Sequence, residues 1–205
     1  MEDDEPFDLE TVWAGLQHAV MAMLAAFGSA AALAERLILT RANRIQILQW
    51  LAPIEALARR LVLLEALKLP PPNAPPPFVP QAKLATTYAD KPQAELPEES
   101  EKWNVRFHVW TAGTPTTNKI GANQPARSHS VQFNALPLAR RVEALRRLFD
   151  QREAYAQRLA LRVHYAISRA RKVFAPYRHR AVPVQTLLRQ AQAEVDLALA
   201  AVNSS

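Results

Sequence analysis

Six basic residues stand at spacings that would place them in one row on a helix: Arg140, Arg147, Arg158, Arg162, Arg169 and Lys172. At about 100° per residue, with Val142 as zero, they fall between about 120° and 200°, while the apolar residues of the same segment occupy about 220° to 360°. A row of guanidinium groups can follow a phosphate backbone, with His164 and Tyr165 beside it as stacking groups. No helix-turn-helix or other groove-reading pattern accompanies the row. Nucleic-acid binding through it would therefore be sequence-tolerant and steeply salt-dependent. The competing reading is a solvated basic face.

Other reactive residue types form no constellation. His18, His108, His129, His164 and His179 have no second His, Asp or Glu at a metal-ligand spacing, so neither a metal nor a cofactor is expected. His129 lies between Ser128 and Ser130, but no G-x-S-x-G turn is present to expose a nucleophile. Glu98 and Glu99 sit among prolines, where no apolar pocket would split their pKa values for acid–base work. Trp103, Phe107 and Trp110 around Arg106 offer a base-stacking platform, or else the core side of a strand. The expectation is a protein that is not an enzyme, with no catalytic residues and no small-molecule substrate.

Composition narrows the classes further. The chain has 205 residues, 49% hydrophobic and 21% charged, which is globular rather than disordered. Only 4 glycines disfavour phosphate-cradling loops, 16 prolines supply helix stops, and the absence of cysteine removes disulfides and thiolate chemistry. The net charge of +6 is unevenly placed. Residues 1–10 carry Glu2, Asp3, Asp4, Glu5, Asp8 and Glu10 without a base, whereas Leu138 to Arg180 carry twelve Arg or Lys against Glu143, Asp150 and Glu153. The acidic start does not resemble a secretory signal, which needs positive charge before its apolar stretch.

The elements that must position these residues are mostly helical. Asp8 is a natural N-cap for a helix over Leu9–Leu39, bent at Gly28-Ser29. Its uncharged run between His18 and Glu35 falls somewhat short of the roughly 20 residues that span a bilayer. Ala22, Ala26, Ala30 and Ala34 repeat every four residues, a stripe that lets another helix approach closely. Arg36, Arg41 and Arg44 behind this segment would keep the remaining chain cytoplasmic if it crossed a membrane. A second helix is expected from Ala42 to Leu69, bent by Pro53, with Ile47, Leu51, Ile54, Ala58 and Leu61 on its apolar face.

Beyond it, Pro70 to Lys102 reads as a proline-rich linker or strap. It contains the P-x-x-P segments Pro72–Pro75 and Pro77–Pro80, of the form that aromatic-grooved domains bind, although such tracts also serve as spacers. Trp103–Trp110 alternates like a half-buried strand, with Ser130–Phe133 as its partner in a small β-hairpin. From Leu136 to Phe174 steps of three and four predict one long, coiled-coil-like helix, interrupted in its apolar seam only by Arg152. A last helix follows Pro183.

The resulting fold class is mainly α: an antiparallel helical bundle or set of hairpins with one small β-hairpin and a proline-rich linker. The divisions are an N-terminal helical hairpin (1–69), the strap (70–102), a small β element and loop (103–135), and a basic C-terminal helical pair (136–205). Functionally, the apolar helix faces predict a cytoplasmic, non-catalytic interaction or adaptor protein that self-associates or binds a protein partner. Two alternatives stand beside it: sequence-tolerant nucleic-acid binding by the basic row, and membrane attachment through the first helix.

Overall fold

The computed structural model describes residues 7–70, 100–110, 132–163, 167–174 and 184–202, apart from the side chains at 101, 168, 169 and 172. The fold is mainly helical, with one two-stranded antiparallel sheet among these residues. Helix α1 (Leu9–Phe27) begins where the Asp8 carboxylate accepts from the N–H groups of Glu10 and Thr11, at 3.2 and 3.0 Å. It ends at Gly28, whose φ of 94° lies in a region that favours glycine. Ser29 then caps the short helix α2 (Ala30–Glu35) by accepting from Ala32 N–H. The expected bend is thus a full break.

Strand β1 (Ile38–Leu39) leads through the N-cap Thr40 into α3 (Arg41–Lys68), which carries Pro53 inside it. All five residues of its expected apolar face are buried, and so are Leu61 to Leu64, which are apolar nearly all round. Helix α3 is the central element, packed by α1, α5 (Arg152–Val163) and α7 (Gln185–Val202). Phe27 meets Trp50 edge-on at one end of the α1–α3 pair, and Arg152 bridges Glu10 and Glu65 towards the other. The two helices are therefore antiparallel. Gly15 permits a close approach here, because a Cβ at that position would lie 2.8 Å from Leu187 of α7.

Two expectations are corrected. Trp103–Trp110 follows a 3-10 turn at Ser100–Lys102 and is irregular, ending in a turn at Val109-Trp110; it is not a strand. Its period is real, with Trp103, Phe107 and Val109 buried and Asn104, Arg106 and His108 exposed. Its backbone makes no ladder; Trp103 and Val105 N–H donate to nearby backbone carbonyls, Phe107 N–H donates to the Tyr155 hydroxyl, and Arg59 donates to the His108 carbonyl. The small sheet pairs β1 with β2 (Phe133–Asn134), so that Ile38 faces Asn134 and Leu39 faces Phe133.

The second correction concerns the long basic helix. It is divided at Gln151 into α4 (Leu136–Asp150) and α5, and α6 (Ile167–Val173) is described separately. On an unbroken helix Arg152 would fall in the apolar sector, at about 280°. At the break it instead reaches Glu10 at 2.8 and 3.0 Å and Glu65 at 3.5 Å, over the Trp13 ring. α4 packs on α2 while α5 packs on α3, so the two halves face different neighbours. The proline strap from 71 to 99 and the expected partner residues Ser130 and Val131 lie outside the described residues.

Candidate anion-binding site

Charged side chains fix the elbow between α4 and α5. Glu143, buried to 1% exposure, accepts from Arg146 at 3.0 and 3.2 Å and from Arg147 at 2.9 Å. Its spacing to both arginines, three and four residues, is the one that brings side chains together on a helix. Arg147 spends its other donors on two backbone carbonyls, Val105 at 3.3 Å and Ser100 at 2.9 Å. One guanidinium therefore joins α4, the 3-10 turn and the irregular segment that follows it. A second anchor joins α3 to α4, where the buried Glu55 takes a bidentate pair from Arg141 at 2.7 and 2.9 Å and a further bond from Arg59 at 3.3 Å.

Over this framework lies a partly open pocket of about 280 Å³, lined by Trp103, Asn104, Val105, Arg106, Arg147, Gln151, Tyr155 and Arg158. Three guanidiniums reach it from three elements, and no carboxylate lines it. Arg147 is held in place from beneath; Arg106 and Arg158 are exposed, and Arg158 lies 5.9 Å from the Tyr155 ring centroid. Tyr155 is fixed in turn, with its hydroxyl on Phe107 N–H and its ring edge-on to Phe107. Chemically, the pocket offers the exposed guanidiniums of Arg106 and Arg158 to a carboxylate or phosphate, beside the Tyr155 ring and next to an Arg147 already engaged within the fold.

The basic row is dispersed by the elbow. Arg140 and Arg147 stand on α4; Arg158 and Arg162 stand on α5, both exposed and one turn apart. Arg147 and Arg158 share the pocket, Arg140 and Arg162 do not line it, and the side chains of Arg169 and Lys172 lie outside the description. His164 and Tyr165 lie outside it as well. Arg106, from the irregular segment before Trp110, joins the pair. Trp103 and Phe107 are buried as rings rather than presented as a stacking platform. The alanine stripe is split by the Gly28 break, with Ala22 half-buried and Ala26 exposed on α1, and Ala30 buried and Ala34 half-buried on α2.

Three carboxyls near the N-terminus of α1 titrate away from their ordinary values. The hydroxyl and amide of Thr11 lower Asp8, and the Arg152 guanidinium lowers Glu10. Burial raises Glu65, opposed in part by Arg152. Among the described residues no three His, Asp or Glu side chains cluster to hold a metal ion. The segment Leu9–Glu35 is long and apolar enough to cross a membrane, while within this fold Val12, Leu16, Val20 and Met23 are buried in the bundle.

The fold and pocket define a helical bundle with a basic, aromatic-walled elbow. No protein-family model, curated protein or solved structure matches the chain.

Proposed function

We propose that this chain is a non-catalytic interaction protein of the cytoplasm that docks a carboxylate-rich protein segment on the α4–α5 elbow. The observation that carries this reading is the convergence of Arg106, Arg147 and Arg158 on one pocket, with Arg147 locked by Glu143 and two carbonyls. Arg147 is engaged within the fold, so the exposed Arg106 and Arg158, brought beside it from two other parts of the chain, are the groups that make the contacts. The chain itself supplies a fitting ligand, since Glu2, Asp3, Asp4 and Glu5 of a second copy offer four carboxylates in one run. Self-association through this pairing is the specific form proposed.

The test is sedimentation velocity of the full chain at about 0.05 M and about 0.5 M salt, where screening differs strongly. Association at low salt that is lost at high salt, and lost in the R106E/R158E double variant, is the predicted result. A monomer under both conditions would remove the self-association form.

Exposed arginines favour a second reading, sequence-tolerant nucleic-acid binding, because Arg158 and Arg162 stand one turn apart on the outer side of α5. Replacing Arg158, Arg162 and Arg169 by Gln would then flatten the salt dependence of binding, by about 1 in slope for each lost phosphate contact. An unchanged slope would eliminate it.

A further inference from the structure

A different corner of the molecule carries a second surface, independent of the elbow. Between α2 and α3 the chain turns through Leu37, whose φ of 52° is the one positive value at a non-glycine residue among those described. A left-handed conformation at a branched side chain is costly and persists only where the surroundings impose it. Here the constraint comes from both sides: the Leu37 carbonyl accepts from Ala135 N–H at 3.0 Å, and Ile38 and Leu39 are paired to β2. What the turn presents is apolar. Leu37 is 72% exposed, Ile38 54% and Ile45, in the second turn of α3, 45%.

The neighbours of these three residues are basic. From Glu35 to Ile45 the chain carries Arg36, Arg41 and Arg44 against the single carboxylate Glu35. Arg36 and Arg41 are exposed, and Arg44 lies over the Phe133 ring at 4.4 Å. Arg41, Ala42, Asn43, Ile45 and Gln46 are all exposed, so the first turns of α3 add solvent-facing side chains beside Leu37 and Ile38. An exposed apolar turn flanked by arginines has the chemistry of a bilayer interface: leucine and isoleucine enter the acyl boundary while arginines remain at anionic headgroups.

We propose that the α2–α3 corner is a peripheral docking tip for an anionic lipid surface, with Leu37 and Ile38 as the inserting residues and Arg36 and Arg41 as headgroup contacts. This mode leaves the helical bundle intact, since none of the inserting residues belongs to its core.

The test is co-sedimentation of the full chain with vesicles of phosphatidylcholine alone and of phosphatidylcholine with phosphatidylglycerol. The wild type pellets with the anionic vesicles and not with the neutral ones. Leu37→Gly is the decisive variant, because glycine suits the left-handed turn: its melting temperature equals or exceeds the wild-type value, while vesicle partitioning falls by about tenfold or more. The R36Q/R41Q variant loses about fivefold for each charge removed. No vesicle binding by the wild type, equal binding to both vesicle types, or undiminished binding by Leu37→Gly would each overturn the proposal. So would a shift in oligomeric state that Leu37→Gly abolishes without any lipid effect, which would assign the tip to a second copy.

Discussion

Single carboxylates decide much of what holds the elbow and the N-terminal pair together. Glu143→Gln removes the buried charge and turns one of its two acceptor oxygens into a donor facing Arg146 and Arg147, and a loss of about 1–3 kcal/mol is expected in urea unfolding. The same variant should loosen Arg147 from the pocket. Glu65 behaves oppositely, because burial raises its folded-state pKa above the unfolded value. The stability it contributes is fully present below its unfolded pKa and is lost as pH rises through the folded one. Glu10 and Asp8, both lowered, contribute stability above their unfolded values that is lost as pH falls through their folded values. Glu65→Gln should therefore raise the melting temperature at pH near 7, with the gain disappearing below about pH 4, the ordinary carboxyl range. Part of this was legible in the sequence: Asp8 stands where an N-cap belongs, and Glu143 precedes Arg146 and Arg147 at helical spacing. That Glu143 is buried was not, because burial depends on what the folded chain packs on α4.

Helix periodicity located the main helices; the interruption at Gly28 was expected as a bend, and the one at Gln151 was missed. The steps of three and four from Val142 to Val173 continue through Gln151 as if the helix were unbroken. Arg152 was the visible signal, a charge in an apolar seam that a break can release towards Glu10 and Glu65. Gly28 marked the other break, and its conformation makes Gly28→Ala costly, by about 1–3 kcal/mol, with the added Cβ 3.2 Å from that of Ala32. A thermal melt checks this directly. Alternation from Trp103 to Trp110 gave the right buried face but the wrong hydrogen-bond partner, since periodicity reports which side faces the core and not what satisfies the backbone. Tyr155→Phe tests that substitution of side chain for ladder. It removes the acceptor of the buried Phe107 N–H, and the variant should lose about 1–3 kcal/mol, with faster hydrogen exchange at Phe107.

Across the whole molecule, charge is sorted by position. The acidic run precedes α1, the elbow gathers Arg106, Arg147 and Arg158, and the α2–α3 corner sets three arginines around an apolar tip. The unequal charge of the two ends was legible from composition, but the elbow was not, because Arg106 lies 41 residues before Arg147 and only the folded chain brings them together. The most direct measurement is a fluorescence anisotropy titration of the full chain into a labelled peptide of residues 1–10, at low and high salt. Saturable binding at low salt, weakened at least about tenfold by R106E/R158E and abolished at high salt, is the predicted result. Binding that the double variant leaves unchanged, or no binding at low salt, would contradict the assignment of the elbow as a site for acidic segments.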